Sequence, residues 1–318
     1  MSDAQHDDGA VFLGHRFQPV QLADKVLLQD YLRRYPQRVS GYSFAMLSAW
    51  AIPYGVMWAR AGQECLLLSR TLGASKERHL LQPIGEASAG CCSDLLSEAT
   101  KLPYCLKMVY VARDYIDKNK DFCGHFAAEE DRGGANYIYL ARDLADLPGG
   151  RYAKKRNLIA QFLTLYPNWE AQPLDIHCGQ QCRDVLLTIA HGDGTPPDDP
   201  SLQAELRALD FAMAHFEALE QSGLLIRVDG RPVAFSIFER QNIDTAAVHF
   251  EKALRAFKGL YQMINRETAR TIAAAGYHLI NREEDLDQPG LRQAKLSYFP
   301  LDIYPVFDLT LGAPPSAA

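Results

Sequence analysis

The chain has 318 residues, a formal net charge of −6 and 47% apolar, 10% aromatic and 23% charged residues. That length exceeds the usual span of one hydrophobic core, so two domains are expected, 11–150 and 151–311, with 1–10 and 312–318 as flexible tails. The composition excludes disorder across the body of the chain, and the acidic balance excludes non-specific coating of nucleic acid, which rests on clustered Lys and Arg.

No stretch approaches the roughly 20 apolar residues of a membrane helix, and the first residues, MSDAQHDDGA, are polar and acidic rather than leader-like. These features point to a cytoplasmic chain without an integral membrane segment. The seven cysteines form no even framework, so reduced thiols are expected. His177, Cys178 and Cys182, like Cys123 and His125, match no paired zinc spacing, and no metal is expected.

In chain order, DKVLLQDYLRRYP and FAMLSAWA read as helices, and CLLLSR, HLLQPIG, CLKMVYV and ANYIYL as short strands. Arg142 precedes a basic run, Arg151 to Arg156, which opens a helix over KKRNLIAQFLTLYP; a solvated first turn is its plain reading. The ends of the first and last of these helices echo each other, YLRRYP at Tyr31–Pro36 and FLTLYP at Phe162–Pro167, as an internal duplication would leave them.

Asp193–Ser201 is a loop rich in Pro, Gly and Asp. A helix follows, with Leu202, Leu206, Leu209, Met213, Phe216 and Leu219 at three- and four-residue steps. After Gly223 the pattern turns extended. Two runs meet at Asp229–Gly230, a hairpin dipeptide, and a third, TAAVHFEKA, makes three successive antiparallel strands. The loop Leu254–Gly259 leads to a helix over Leu260–Ala275 with Gly276 as its C-cap, and Tyr261, Ile264, Thr268 and Ile272 share one face. YHLIN is then a strand, Pro289–Gly290 opens a short helix, and LDIYPVFDLTL is a final strand in which Pro305 demands an edge or a bulge.

Helix, three strands, glycine loop, helix, strand, helix, strand is the order of an acetyltransferase-type core. In that fold two neighbouring strands splay apart to admit an activated carbonyl, and the helix after the loop aims its N–H groups at a donor phosphate. Coenzyme A enzymes of this type favour small residues throughout the loop, whereas Lys258-Gly259-Leu260-Tyr261 has one glycine and then bulk.

The segments HFEKALRAFKGLYQMINRETAR, INREEDLDQPGLRQAKLSY and YIYLARDLADLPGGRYAKKRN resemble the phosphatidylglycerol lysyltransferase C-terminal domain family, long a domain of unknown function. The resemblance runs from about Phe17 to Phe307. It implies an α/β (α+β) chain of two tandem GNAT-like domains, of the acyl-CoA N-acyltransferase type, with mixed, mostly antiparallel sheets. It also implies kinship with enzymes that move an amino acid from aminoacyl-tRNA to a lipid hydroxyl or a peptide amine. The lipid-modifying relatives carry a membrane-spanning portion with no counterpart in these residues, so the chemistry transfers more directly than a bilayer acceptor.

Acyl transfer needs a neutral nucleophile, donors for the developing oxyanion and an acid for the leaving group. Alternation along the third strand puts His249 and Glu251 on one side and Phe250 and Lys252 on the other. Glu251 is the preferred general base with His249 as its substitute; the alternative is that Glu251 only pairs with Lys252 or Arg282. Tyr298 is placed to act as the acid, or else keeps a structural hydrogen bond. Lys252, Lys258, Gly259, Tyr261, Asn265 and Asn281 complete the expected substrate surface. The charged run from Arg282 to Asp285 is either a solvated loop or a binding edge. In the second case Arg282, Arg292 and Lys295 meet phosphates, and Glu283 or Asp285 holds an α-amino group. Lys154, Lys155 and Arg156 are positioned to hold the acceptor stem of a tRNA.

The leading expectation is therefore an aminoacyltransferase with aminoacyl-tRNA as donor co-substrate, no permanently bound cofactor, and a soluble or peripheral amine, hydroxyl or peptide as acceptor. An acyl-CoA-dependent N-acyltransferase is the alternative. A non-catalytic ligand-binding or interaction protein of the same fold is the third.

Overall fold

The computed structural model describes residues 9–312, and the expected tails lie largely outside that range. The chain forms two compact units: Met1–Gly134 with Tyr304–Ala318, and Ala135–Ile303. The expected division at residue 150 is corrected by this. The strand Phe126–Leu140 runs through the boundary without a break, and the segment after it, Ala141–Asp146, is helical rather than a linker. The closing strand Asp302–Leu311 supplies residues to both units.

In the first unit the strands lie in the order Phe126–Leu140, Asp302–Leu311, Lys107–Ala112, Glu77–Leu81, Cys65–Leu72, Met57–Arg60 and Gln18–Pro19, with Ile84–Gly85 also against Cys65–Leu72. Leu66, Leu67 and Leu68 are all fully buried, as an apolar run with both faces covered requires. Each such side chain contributes about 1.5–3 kcal/mol. Pro305 lies within the closing strand, which is not at an edge. The pairing with Lys107–Ala112 begins one residue later, at Val306 opposite Ala112, so no bond of that ladder needs the missing N–H, and a bulge follows at Phe307/Leu309.

The second unit has the strands Trp169–Pro173, Ser222–Val228, Arg231–Arg240, Thr245–Ala253, Leu279–Asn281 and the last part of Phe126–Leu140 side by side. Positive φ at both Asp229 (50°) and Gly230 (76°) makes the tight hairpin turn that their sequence predicts. The helix Leu260–Ala274 buries Met263, Ile264, Thr268 and Ile272. Thr268 Oγ1 meets Ser236 Oγ on the sheet at 2.6 Å, so the polar pair in that contact is satisfied.

Both units share one plan, an antiparallel meander, a helix and then a strand that pairs parallel to the meander's last member. In the first unit the parallel pair is Glu77–Leu81 with Lys107–Ala112, and in the second Thr245–Ala253 with Leu279–Asn281. The echoed helix ends agree in backbone as well: Tyr35 (φ −125°, ψ 73°) and Tyr166 (φ −128°, ψ 69°) each stop a helix in nearly the same conformation before a proline.

Candidate active site

The parallel pairing in the second unit covers only Thr245↔Leu279, Ala246↔Ile280 and Ala247↔Asn281. Beyond that, Arg282 N bonds to Tyr137 O (2.9 Å) and Tyr137 N to Glu283 O (3.1 Å), so the chain keeps to Phe126–Leu140 and leaves Thr245–Ala253. On the other side, Ile237 faces Phe250 while Phe238 faces Val248. His249 is thus the extra residue of a bulge, which aims side chains out of the ladder at the point where the strands part.

Charged groups fill the opening. His249, with its side chain 1% exposed, lies between Glu283 Oε1 at Nδ1 and Glu239 Oε1 at Nε2, both 2.7 Å away. Burial works against the imidazolium, but the two carboxylates outweigh it and raise the pKa to about 10. Glu251 accepts from Arg282 Nη2 (2.6 Å) and Asn265 Nδ2 (3.2 Å). The Arg282 guanidinium lies 5.2 Å from the Tyr298 ring and 5.6 Å from that of Tyr139. No hydrogen bond holds the Tyr298 hydroxyl among the described residues; its backbone carbonyl accepts from Tyr152 Oη at 2.9 Å. Burial pushes the Tyr298 hydroxyl well up, so it carries its proton at neutral pH.

Below this cluster the turn Asn281–Asp287 is held from within. Asn281 Nδ2 donates to Asn136 (2.9 Å) and Gln241 (3.1 Å), and its Oδ1 accepts from Glu283 N (2.8 Å). Asp285 is fully buried, accepting from Tyr137 Oη (2.5 Å) and twice from Arg292 (2.7 and 2.8 Å). Burial disfavours its carboxylate, yet Arg292 and Tyr137 hold its pKa at about 2. Lys295, 6% exposed, donates to the carbonyls of Arg282 and Glu283, and burial lowers its pKa to about 8. Three residues of this segment, Glu283, Leu286 and Asp287, have positive φ, a strain that these bonds offset.

The expected residues therefore divide. His249, Glu251, Asn265, Arg282, Glu283 and Tyr298 come together at the opening. Asn281, Asp285, Arg292 and Lys295 shape the turn rather than face a ligand. Lys252 turns to the other face of the sheet and pairs with Glu205 at 2.6 Å. Lys258 is exposed at the loop, and Tyr261 is partly buried near Glu251. Of the basic triplet, Lys154 is exposed, Lys155 points inward to Ser297 Oγ (2.6 Å) with its Nζ 4.1 Å from the Tyr298 ring, and Arg156 holds the carbonyls of Leu147 and Gly149. Burial lowers the Lys155 pKa to about 8. Sequence reasoning missed Glu239, whose signal is a lone carboxylate ending the apolar run Val233–Phe238, and Tyr139, hidden inside a run that reads as core.

Three N–H groups around the start of the helix Leu260–Ala274 are already engaged. Phe257 N bonds to Leu254 O, Leu260 N to Phe257 O, and Lys258 N to Tyr166 Oη (3.3 Å). Gly259 (φ 84°) is pressed against the helix Ala153–Leu165: a Cβ there would lie 2.1 Å from Leu158 O. Its glycine serves helix packing.

In the first unit the matching gap is closed by neutral groups. Past Leu81 and Val109, Tyr42 Oη accepts from Gln82 N and donates to Tyr110 O, and Gln82 Oε1 accepts from Ala112 N, each at 2.9 Å.

The family pattern described as phosphatidylglycerol lysyltransferase, C-terminal, matches residues 32–309. The chain belongs to this family. A protein of unknown function from Bacteroides thetaiotaomicron is similar over 93% of this chain and 99% of that one, at 32% identity and a TM-score of 0.84. The L-PGS of Bacillus licheniformis aligns over 90% of this chain and 91% of its own, with 13% identity and a TM-score of 0.62. A tandem GNAT protein from the clavulanic acid biosynthesis pathway covers 94% and 99% at 10% identity and a TM-score of 0.51. These last two likenesses establish the fold, a tandem GNAT arrangement, as the sequence resemblance implies. No curated protein matches the chain. Among the described residues no helix is long and apolar enough to cross a membrane.

Proposed function

We propose that this member of the lysyltransferase C-terminal family is an aminoacyltransferase that takes an amino acid from aminoacyl-tRNA and passes it to an amine or hydroxyl on a soluble or peripheral small molecule or peptide. The reaction belongs to the opening in the second unit. The acceptor nitrogen or oxygen attacks the ester carbonyl carbon and gives its proton to Glu251. The bond to the ribose oxygen breaks, and Tyr298 protonates that oxygen as it leaves. His249 holds its proton between two carboxylates and so acts as a fixed cation rather than a base.

The observation that carries this reading is the meeting of Glu251 and the ring of Tyr298, whose hydroxyl is unbonded among the described residues, around one guanidinium, Arg282, where the two strands separate. A coenzyme A thioester, the other donor for this fold, is favoured by small residues in the loop before Leu260, whereas here the N–H groups of Phe257, Lys258 and Leu260 are engaged and Leu260 and Tyr261 add bulk beside Gly259. The first unit, with its gap bridged by Tyr42 and Gln82, serves in this reading as scaffold or acceptor surface.

Incubating the purified chain with tRNA charged with a labelled amino acid and a panel of amines and alcohols tests the proposal. Label should move to an acceptor, and binding of charged tRNA should weaken steeply with salt. Absence of both association at low salt and label release rejects the aminoacyl-tRNA reading, and protection by coenzyme A thioesters instead would move the assignment to the other donor.

A further inference from the structure

Glu251 uses both carboxylate oxygens, one on Arg282 Nη2 and one on Asn265 Nδ2. Each partner keeps a second polar atom that is buried and has no hydrogen-bond partner, a donor at Arg282 Nη1 and an acceptor at Asn265 Oδ1. Asn265 is only 3% exposed, and the Arg282 side chain 14%. Buried groups left in this state are costly and few in native proteins. Here a donor and an acceptor stand on either side of the same carboxylate, at the opening assigned above to catalysis.

We propose that this pair recognises the α-aminoacyl unit itself: the acyl carbonyl oxygen accepts from Arg282 Nη1, and the α-ammonium donates to Asn265 Oδ1. The inference rests on the aminoacyl-transfer reading and narrows it. A phosphate or free carboxylate would satisfy Arg282 alone and meet repulsion from Glu251, whose charge already balances the guanidinium. A plain acyl group would satisfy Arg282 and leave Asn265 Oδ1 without a donor. An aminoacyl group carries an acceptor and a donor on adjacent carbons and supplies both. Selection between aminoacyl and acyl groups follows from what the unsuited group leaves unpaired.

Calorimetric titration of the full chain with matched non-reacting probes tests this. L-alaninamide and L-lysinamide are compared with propionamide and 6-aminohexanamide, which differ from them only by the α-amino group. At least one amino-acid amide should bind about tenfold or more tighter than its counterpart, and Asn265→Leu should erase the difference. Asn265→Ser provides a second, smaller substitution should the first fail to fold, and the comparison of probes on the unmodified chain needs no variant. Equal binding within each pair, no binding of any amide, or a preference that survives both substitutions overturns the proposal. Transfer from charged tRNA without amide discrimination removes this inference and leaves the donor reading standing; discrimination without transfer does the reverse.

Discussion

Nδ1 of His249 and Oε1 of Glu283 stand 2.7 Å apart, tying the bulged residue of one strand to the turn that leaves its parallel neighbour. Glu239 completes the clamp from the opposite side of the ring at the same distance. Two carboxylates and an imidazolium in a side-chain setting this buried depend on one another, and removal of the cation leaves the anions facing each other.

His249→Gln should therefore destabilise the chain by about 3–5 kcal/mol, read as a lower urea midpoint. The pH dependence has a definite sign. A pKa raised from 6.5 to about 10 in the folded state contributes stability that is complete below 6.5 and is lost as pH climbs toward 10. The unmodified chain should lose stability across that window more steeply than His249→Gln does. Parallel profiles for the two proteins would show that the ring is neutral.

This clamp also marks the limit of what the sequence discloses. The hairpin at Asp229–Gly230, the helix before Gly276 and the final strand follow from turn chemistry and periodicity, both local signals. The bulge at His249 does not, because it exists only relative to a partner strand: nothing in AAVHFEK says that Val248 will face Phe238 and Phe250 will face Ile237. Glu251 and Arg282 were legible as candidates, and their pairing was one of the two ion pairs the sequence offered for Glu251; that Arg282 rather than Lys252 is the partner depends on Arg282 leaving the sheet just past Asn281. Gly259 stood out as a glycine, but its reason lies 101 residues earlier in the chain, in Leu158 O, where a phosphate was the local expectation. The division at Gly134 was hidden because the strand through it has no interruption in its pattern.

The turn below the site makes a second prediction. Asp285 holds Arg292 by two bonds and Tyr137 by one, and accepts from the N–H of the positive-φ residue Asp287 at 3.0 Å, so Asp285→Asn removes the anion at the centre of this turn. A loss of about 3 kcal/mol follows, with weaker transfer because Arg282 is no longer held by the turn. The folded-state pKa is depressed from 3.8 to about 2, so this carboxylate contributes stability present above 3.8 and lost as pH falls toward 2. Acid unfolding of the variant should be flatter over that range; an unchanged acid limb would assign the effect to other carboxylates.

Tyr298→Phe separates chemistry from folding. The hydroxyl has no bond to lose among the described residues, so the variant should keep its stability to within about 0.5 kcal/mol. If that hydroxyl protonates the leaving oxygen, transfer should fall by about 100-fold or more, mainly in kcat. A variant with full activity removes Tyr298 from the mechanism, and a large fall in stability would instead reveal a structural bond.

The basic triplet is not one patch, and substitutions should separate its members. Lys154 is exposed and free to meet a polyanion, while Lys155 is drawn to Ser297 and Tyr298 and Arg156 is spent on the carbonyls of Leu147 and Gly149. Lys154→Glu should leave the melting temperature unchanged and weaken binding of charged tRNA, lowering the dependence of log K on log salt by about one charge's worth. Lys155→Glu sets a carboxylate against the buried face of Tyr298, so the melting temperature should drop along with binding. Lys155→Met, which keeps the apolar stem over the ring, should recover most of the stability and show how much of the loss was packing. Filter binding across a salt series checks the first substitution, and thermal denaturation the other two. Equal effects of Lys154→Glu and Lys155→Glu on both measurements would mean that the two lysines share one exposed surface, against the inward geometry of Lys155.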